Sequence, residues 1–171
     1  MRTLVLSQNG RFVTDASPSG IDAALRVPGC LLWLDLEDPN EGELRLLRDE
    51  FGFHPLAIED ASRAHERPKV DAYERDGAGL LSTAADGPLC GSYYFLVFYA
   101  ATFDEARAHI TTPALNLFVG ANFLVTVHRD PLPRIGETIA RWRAPDGPLE
   151  HHVGALVHAL LDAIVDDFFP L

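Results

Sequence analysis

Phe51-Gly52-Phe53-His54-Pro55-Leu56-Ala57-Ile58-Glu59-Asp60, continued by Arg67-Pro68-Lys69-Val70-Asp71, joins two turn signals, an apolar face and a carboxylate pair. Gly52 reads as the end of one helix, and Pro55 as the first residue of a second, shorter one. The apolar face of that second helix is expected to be Leu56, Ile58 and Ala61. Pro68 keeps the helix from running further, because it disfavours the α region in Arg67. Adjacent helical residues point about 100° apart. Glu59 and Asp60 therefore cannot both aim into one small site, and they are expected to serve two neighbouring sites or interfaces.

Working outward toward the N-terminus, Leu31 to Leu36 reads as a buried strand, and Asp38-Pro39 as an N-cap followed by Pro at the first helical position. Leu44, Leu47 and Phe51 then recur at helical spacing. Arg2 to Ser7 and Arg11 to Thr14 form a predicted hairpin across Gln8-Asn9-Gly10, since Asn-Gly supplies the positive φ angles of a tight turn. Toward the C-terminus, Tyr93 to Phe103, Ala114 to Phe118 and Phe123 to His128 are rich in β-branched and aromatic residues and are expected at the centre of the sheet. Pro133 to Arg143 reads as a short amphipathic helix. Gly147-Pro148 opens the last helix, in which Val153, Leu156, Val157, Leu160, Leu161, Ile164, Val165 and Phe168 make an apolar stripe of period 3.6. Spanning Pro148 to Phe169, it would be roughly 33 Å long. Alternating strands and helices predict one α/β domain over residues 1–171: three α/β/α layers, a mixed central sheet, helices on both faces, and the last helix leading outward.

Composition narrows the function. A chain of 171 residues with 47% hydrophobic content can bury a sizeable core. Its net charge of −11 argues against nucleic acid, which needs a basic footprint, and against adsorption on anionic lipid, leaving cations as the natural partners. Cys30 and Cys90 form no Cys-x-x-Cys pair or disulfide framework, which suits a reducing cytosol. Met1-Arg-Thr-Leu-Val has no long apolar signal core. No stretch approaches the roughly 18 apolar residues of a membrane span, and the best candidate, His151 to Leu171, is broken by Asp162, Asp166 and Asp167.

Carboxylates carry whatever chemistry there is: Glu59 and Asp60; Asp71, Glu74 and Asp76; and Asp162, Asp166 and Asp167. Oxygen ligands suit hard cations, and Mg²⁺ keeps most of its water and binds through one or two carboxylates, so sparse acids are chemically sufficient. Without a further clue, Asp60 and Asp162 read as solvated or salt-bridged helix residues, paired with Arg63 or Arg67. His151, His152 and His158 lack the i, i+4 spacing of a zinc helix and read as surface or capping residues. His54 before Pro55 reads as a helix-entry residue. His128-Arg129-Asp130 imitates a kinase triplet, but the Gly-rich phosphate loop is missing. Trp33 and Trp142 read as packing residues.

The His-Pro-Leu-x-x-Glu-Asp segment at 54–60 and Arg67-Pro68-Lys69 resemble the cytosolic domain of CorA-type magnesium and cobalt transporters. Trp33-Leu34-Asp35-Leu36, Phe118-Val119-Gly120 to His128 and Leu160-Leu161-Asp162-Ala163-Ile164-Val165-Asp166-Asp167 carry the same resemblance in the same order. It implies a cation-sensing and gating domain without enzymatic activity, assembled with identical subunits as a pentamer. Mg²⁺ would be its regulatory ion, and its place the cytoplasmic face of the inner membrane. The family's two membrane helices and Gly-Met-Asn pore motif have no counterpart here, so membrane contact would come only through C-terminal helices absent from this chain. The chain is expected to be a cytosolic piece ending near the start of the family's stalk helix. By the resemblance, Asp60 faces a neighbouring subunit and holds a regulatory Mg²⁺ with an acid of that subunit's stalk. Glu59 and Asp162 line a second cation site nearby. The sequence departs from the family at about residues 77–92, an insert read as a surface hairpin or loop. Competing readings are a related zinc transporter, a stand-alone metal-binding regulator, and a metal-dependent hydrolase with converging carboxylates.

Overall fold

The computed structural model describes residues 2–13, 17–63, 67–73, 91–104, 109–145, 147 and 149–169. Along the chain run β1 (Arg2–Gln8), β2 (Arg11–Val13), α1 (Ile21–Leu25), β3 (Cys30–Glu37), α2 (Glu41–Asp49), α3 (Pro55–Ser62) and β4 (Lys69–Tyr73). They are followed by β5 (Tyr93–Tyr99), β6 (Thr102–Asp104), β7 (His109–Thr111), β8 (Ala114–Val119), β9 (Phe123–His128), α4 (Pro133–Arg143) and α5 (Val153–Asp166).

Among the described residues, seven strands form one sheet in the order β2-β1-β3-β9-β8-β5-β4, and β6 and β7 make a separate two-stranded ribbon. The β3–β9 pair is parallel and the remaining pairs are antiparallel, so the sheet is mixed as the sequence predicted. β3 is buried at every residue from Cys30 to Leu36, the condition of a strand covered on both sides. Its side chains alternate between the faces. Leu32, Leu34 and Leu36 join Ile21 of α1, Leu47 of α2, and Ala57 and Ala61 of α3 on one face. Leu31 and Trp33 join Ile135, Ile139 and Trp142 of α4 and Leu156, Leu160 and Ile164 of α5 on the other. The three layers are thus present, with β8 and β9 central.

Aromatic packing seats the first layer. Phe53 stacks on Phe118 at 4.2 Å and 9°, and meets Phe51 at 5.0 Å and Tyr93 at 4.8 Å. Gly52, at φ 68, supplies the left-handed residue that lets the chain turn between Phe51 and Phe53 so that both rings enter the core. At the N-terminus, Asn9 (φ 49) and Gly10 (φ 78) close the predicted hairpin.

Several elements differ from the sequence reading. The N-cap of α2 is Asn40, whose side chain accepts from Gly42 and Glu43 while Glu43 reaches back to the Asn40 N–H. Asp38, at φ 46, instead ends β3 and donates its N–H to the His128 carbonyl. On α3 the buried positions are Ala57 and Ala61, one turn apart, whereas Leu56 is 59% exposed. Small side chains let this helix approach the sheet closely, and Leu56 falls on the outer face. α5 starts at Val153, because His152 caps it by accepting from the Ala155 N–H. Its fourteen residues span about 21 Å rather than the longer rod expected. The strand expected to run to Phe103 stops at Tyr99; the Ala100 N–H bonds to the Pro113 carbonyl, and the chain then leaves the sheet to form the β6–β7 ribbon. α1 and β4 had not been anticipated. The insert expected at about 77–92 lies outside the described residues except for Gly91 and Ser92, as do Glu74, Asp76 and Pro148.

Truncating Phe53, 1% exposed, is expected to cost about 3–5 kcal/mol. Leu56→Ala should change stability by no more than about 0.5 kcal/mol. Urea unfolding midpoints of the two variants check the contrast; a large loss for Leu56→Ala would contradict its outward placement.

Candidate metal site

α3 is pinned at both ends. At its start the His54 ring accepts from the Leu56 N–H at 3.2 Å, and the His54 N–H donates to the Tyr93 hydroxyl at 2.9 Å. The same ring lies over Tyr73 (5.4 Å), which stacks on Tyr93 (5.0 Å, 9°), so the helix entry is tied to β4 and β5. His54 is therefore a helix-entry residue, as predicted. At the far end the Arg129 guanidinium donates to the Ser62 carbonyl, and Asn116 donates to the carbonyls of Ala61 (3.5 Å) and Val127 (3.1 Å). The contacts to Ala61 and Ser62 satisfy carbonyls that a helix C-terminus leaves open.

Glu59 and Asp60 stand on this fixed helix and turn to different partners. Glu59 pairs with Arg63 one turn on, at 2.5 Å. Asp60 Oδ2 meets Lys69 Nζ of β4 at 2.5 Å, and the same ammonium contacts Asp71 Oδ2 at 2.8 Å. Lys69 also lies 5.2 Å over the Phe95 ring. The hydrogen bonds to Asp60 and then Asp71 push the Lys69 ammonium above its usual range, against a smaller opposing effect of burial. The salt-bridged reading of Asp60 holds in kind, but its cation is Lys69 rather than Arg63 or Arg67.

Asp162 is exposed on α5, in the layer across the sheet from α3. One chain does not bring Glu59 and Asp162 together, because the sheet separates their helices. Among the described residues, no three His, Cys, Asp or Glu side chains converge as a metal cage. Asp60 and Asp71 do converge on one cation, and two carboxylates around a positive centre are a donor set that fits a partly hydrated Mg²⁺. The clustered histidines serve the fold: His152 caps α5, and His151 accepts from the Trp142 indole N–H at 3.3 Å.

A buried polar chain went unread in the sequence. The Trp33 indole donates to the Thr126 hydroxyl (3.1 Å), which donates to Asp35 Oδ1 (2.6 Å); His128 Nε2 lies 3.2 Å from the same oxygen. His128 Nδ1 lies 2.7 Å from the Asp130 carbonyl, which can only accept. Both ring nitrogens thus face acceptors, the arrangement of an imidazolium paired with a carboxylate. Burial lowers the affinity of His128 for its proton, but the hydrogen bond and charge of Asp35, with help from the Asp130 carbonyl and Glu37, hold its pKa above the usual value. The available signal was Asp35 itself, an acid inside an otherwise apolar buried run.

A raised folded-state pKa means that folding takes up a proton. The stabilisation from His128 is therefore complete below about pH 6.5, the usual unfolded value, and is lost as pH rises through the folded-state pKa. Asp35→Asn leaves burial as the dominant influence, so this part of the pH dependence should reverse sign. The substitution should also cost about 3 kcal/mol near pH 6. Denaturation midpoints from pH 5.5 to 8.5, with the His128 ring titration followed by NMR, check both expectations.

With the fold and these acids in place, the likeness to known proteins is informative. The family model described as CorA-like Mg2+ transporter protein matches residues 29–171. The chain is 32% identical over 139 residues to a Bacillus subtilis protein provisionally named as a metal ion transporter, YfjQ, covering 81% of this chain and 37% of that protein. It is 24% identical over 140 residues to the cobalt/magnesium transport protein CorA of Methanocaldococcus jannaschii, covering 81% of this chain and 38% of that protein. The solved soluble domain of that CorA superposes with a TM-score of 0.62 at 19% identity, over 97% of this chain and 57% of that one, which supports the fold. The chain thus spans well under half the length of these two transport proteins. Its match over most of its own length places it in the CorA-like Mg²⁺ transporter family.

Proposed function

We propose that this chain is the cytosolic divalent-cation-sensing and gating domain of a CorA-type Mg²⁺ and Co²⁺ transporter, acting by binding and without covalent chemistry. Family membership sets the class. The observation that carries the sensing role is the position of Asp60: on a helix fastened at both ends and about one-third exposed, its carboxylate stands beside that of Asp71 with only the Lys69 ammonium between them. In the assembly, five such domains pack at the cytoplasmic face of the inner membrane, held there by C-terminal membrane helices beyond this chain. No described helix is long and apolar enough to cross a membrane.

Each copy carries a net charge of −11, so bringing five together meets electrostatic repulsion. A Mg²⁺ held between Asp60 and an acid of the next subunit relieves that repulsion and favours the closed, symmetric assembly. Loss of the ion lets the subunits splay. The ion shifts this equilibrium only by its difference in affinity for the two states. Glu59 and Asp162, separated by the sheet within one chain, could share a second ion only between copies.

Limited proteolysis of the full-length protein over a Mg²⁺ series tests the assignment. Wild type should be protected at millimolar Mg²⁺, and Asp60→Asn should need about tenfold more ion for equal protection. Equal protection of the two would remove Asp60 from the site.

A further inference from the structure

Among the described residues β4 is an edge strand, and its Lys69 reaches Asp60 of α3. In its antiparallel register with β5, Lys69 stands opposite Val97 and Asp71 opposite Phe95. Residues two apart on a strand share a face, and Val97 and Phe95 belong to the core cluster that α3 covers. Lys69 and Asp71 therefore lie side by side on the face toward the helix from which Asp60 projects. The ammonium rests between the two carboxylates at 2.5 and 2.8 Å, with the Phe95 ring 5.2 Å away. Lys69, Asp60 and Asp71 keep 30%, 35% and 43% of their side-chain surface, so an ion from solvent can reach them. Lys69 is the chain's one lysine beside thirteen arginines. A compact ammonium on a flexible stem fits between two carboxylates as a point charge and can swing away, unlike the planar guanidinium fork.

We propose that Lys69 is a built-in competitor of the divalent cation: its ammonium occupies Asp60 and Asp71 when no ion is bound, and a divalent cation must displace it to reach Asp60. This rests on the reading of Asp60 as a cation contact. With Lys69 in place the three groups sum to one negative charge, and with Lys69 displaced the two carboxylates present two. A tethered group acts at an effective concentration of roughly millimolar order. Lys69 thus raises the ion concentration needed to occupy Asp60. The coupling is reciprocal, so a bound dication loosens Lys69 by the same factor with which Lys69 weakens the dication. Solvent screening of these part-exposed charges keeps that factor at about three- to tenfold.

The test uses this chain with ¹³C,¹⁵N-labelled lysine, which yields a single side-chain signal, and MgCl₂ as the titrant. In wild type, Mg²⁺ should move the Lys69 Cε and Nζ resonances toward those of a free lysine. Backbone amides of residues 59–61 report the affinity. Lys69→Met should bind Mg²⁺ about three- to tenfold more tightly, and Lys69→Arg, which keeps the charge, should bind less tightly than Lys69→Met. Asp60→Asn should weaken binding about tenfold or more in both the wild-type and Lys69→Met backgrounds. If Lys69→Met binds no more tightly than wild type while Asp60→Asn still weakens binding, the competitor role is overturned and Asp60 stands. If Asp60→Asn binds as wild type does, the Asp60 reading falls. Absence of Mg²⁺ binding in both wild type and Lys69→Met also overturns the competitor role, and the proteolysis series on the full-length protein then judges Asp60 by itself.

Discussion

β3 presents apolar side chains on both faces and is stable only between two covering layers. Burying each of its leucines contributes about 1.5–3 kcal/mol, and that gain exists only when α1, α2 and α3 close one side and α4 and α5 the other. The parallel pairing of β3 with β9 follows from this arrangement, since the chain between them has room to build a covering layer before it returns. Asp35 is the exception in the run, and its burial is tolerated because Thr126 and His128 on β9 stand where their hydrogen bonds can reach it. Removing His128 would leave the Asp35 carboxylate in the core without its opposite charge.

The same layering decides what the carboxylates can do. α3 touches the sheet through two alanines, which brings its backbone close and carries Asp60 within reach of β4. The Glu59–Arg63 pair is local to one helix and exposed, and such pairs contribute little. The Asp60–Lys69–Asp71 cluster joins a helix to an edge strand. Inward-facing charges on an edge strand also discourage pairing with a stray chain, because a second strand would have to accommodate them. The cluster therefore protects the edge and holds two carboxylates around the Lys69 ammonium at the rim of the core.

Local signals made much of this legible. Asn9-Gly10 closes a hairpin because its backbone needs are met within two residues, and the last helix buries Val153, Leu156, Leu160 and Ile164 of its expected stripe, whereas Val165 and Phe168 at its far end stay exposed. His54 before Pro55 announced a helix entry, and His54 caps one. Signals failed where two neighbours competed for one role. Asp38 and Asn40 both qualify as caps, and the bend that ends β3 decided between them. Leu56 looked like a core residue until the alanines fixed which side of α3 meets the sheet.

By itself the sequence determined the class of the protein: alternating elements, helices for two faces, acids in place of zinc ligands, and motifs in family order. The elements and the acids follow from short-range periodicity and residue chemistry, which need no knowledge of distant parts, and the class follows from the resemblance of the motifs to a known family. Only the tertiary structure decided the partners of each charge. Asp60 meets Lys69 across nine residues and two elements, Asp35 meets His128 across ninety-three, and Glu59 is parted from Asp162 by a sheet. Electrostatic pairing depends on distance in space, and that distance is set by how the layers close over β3.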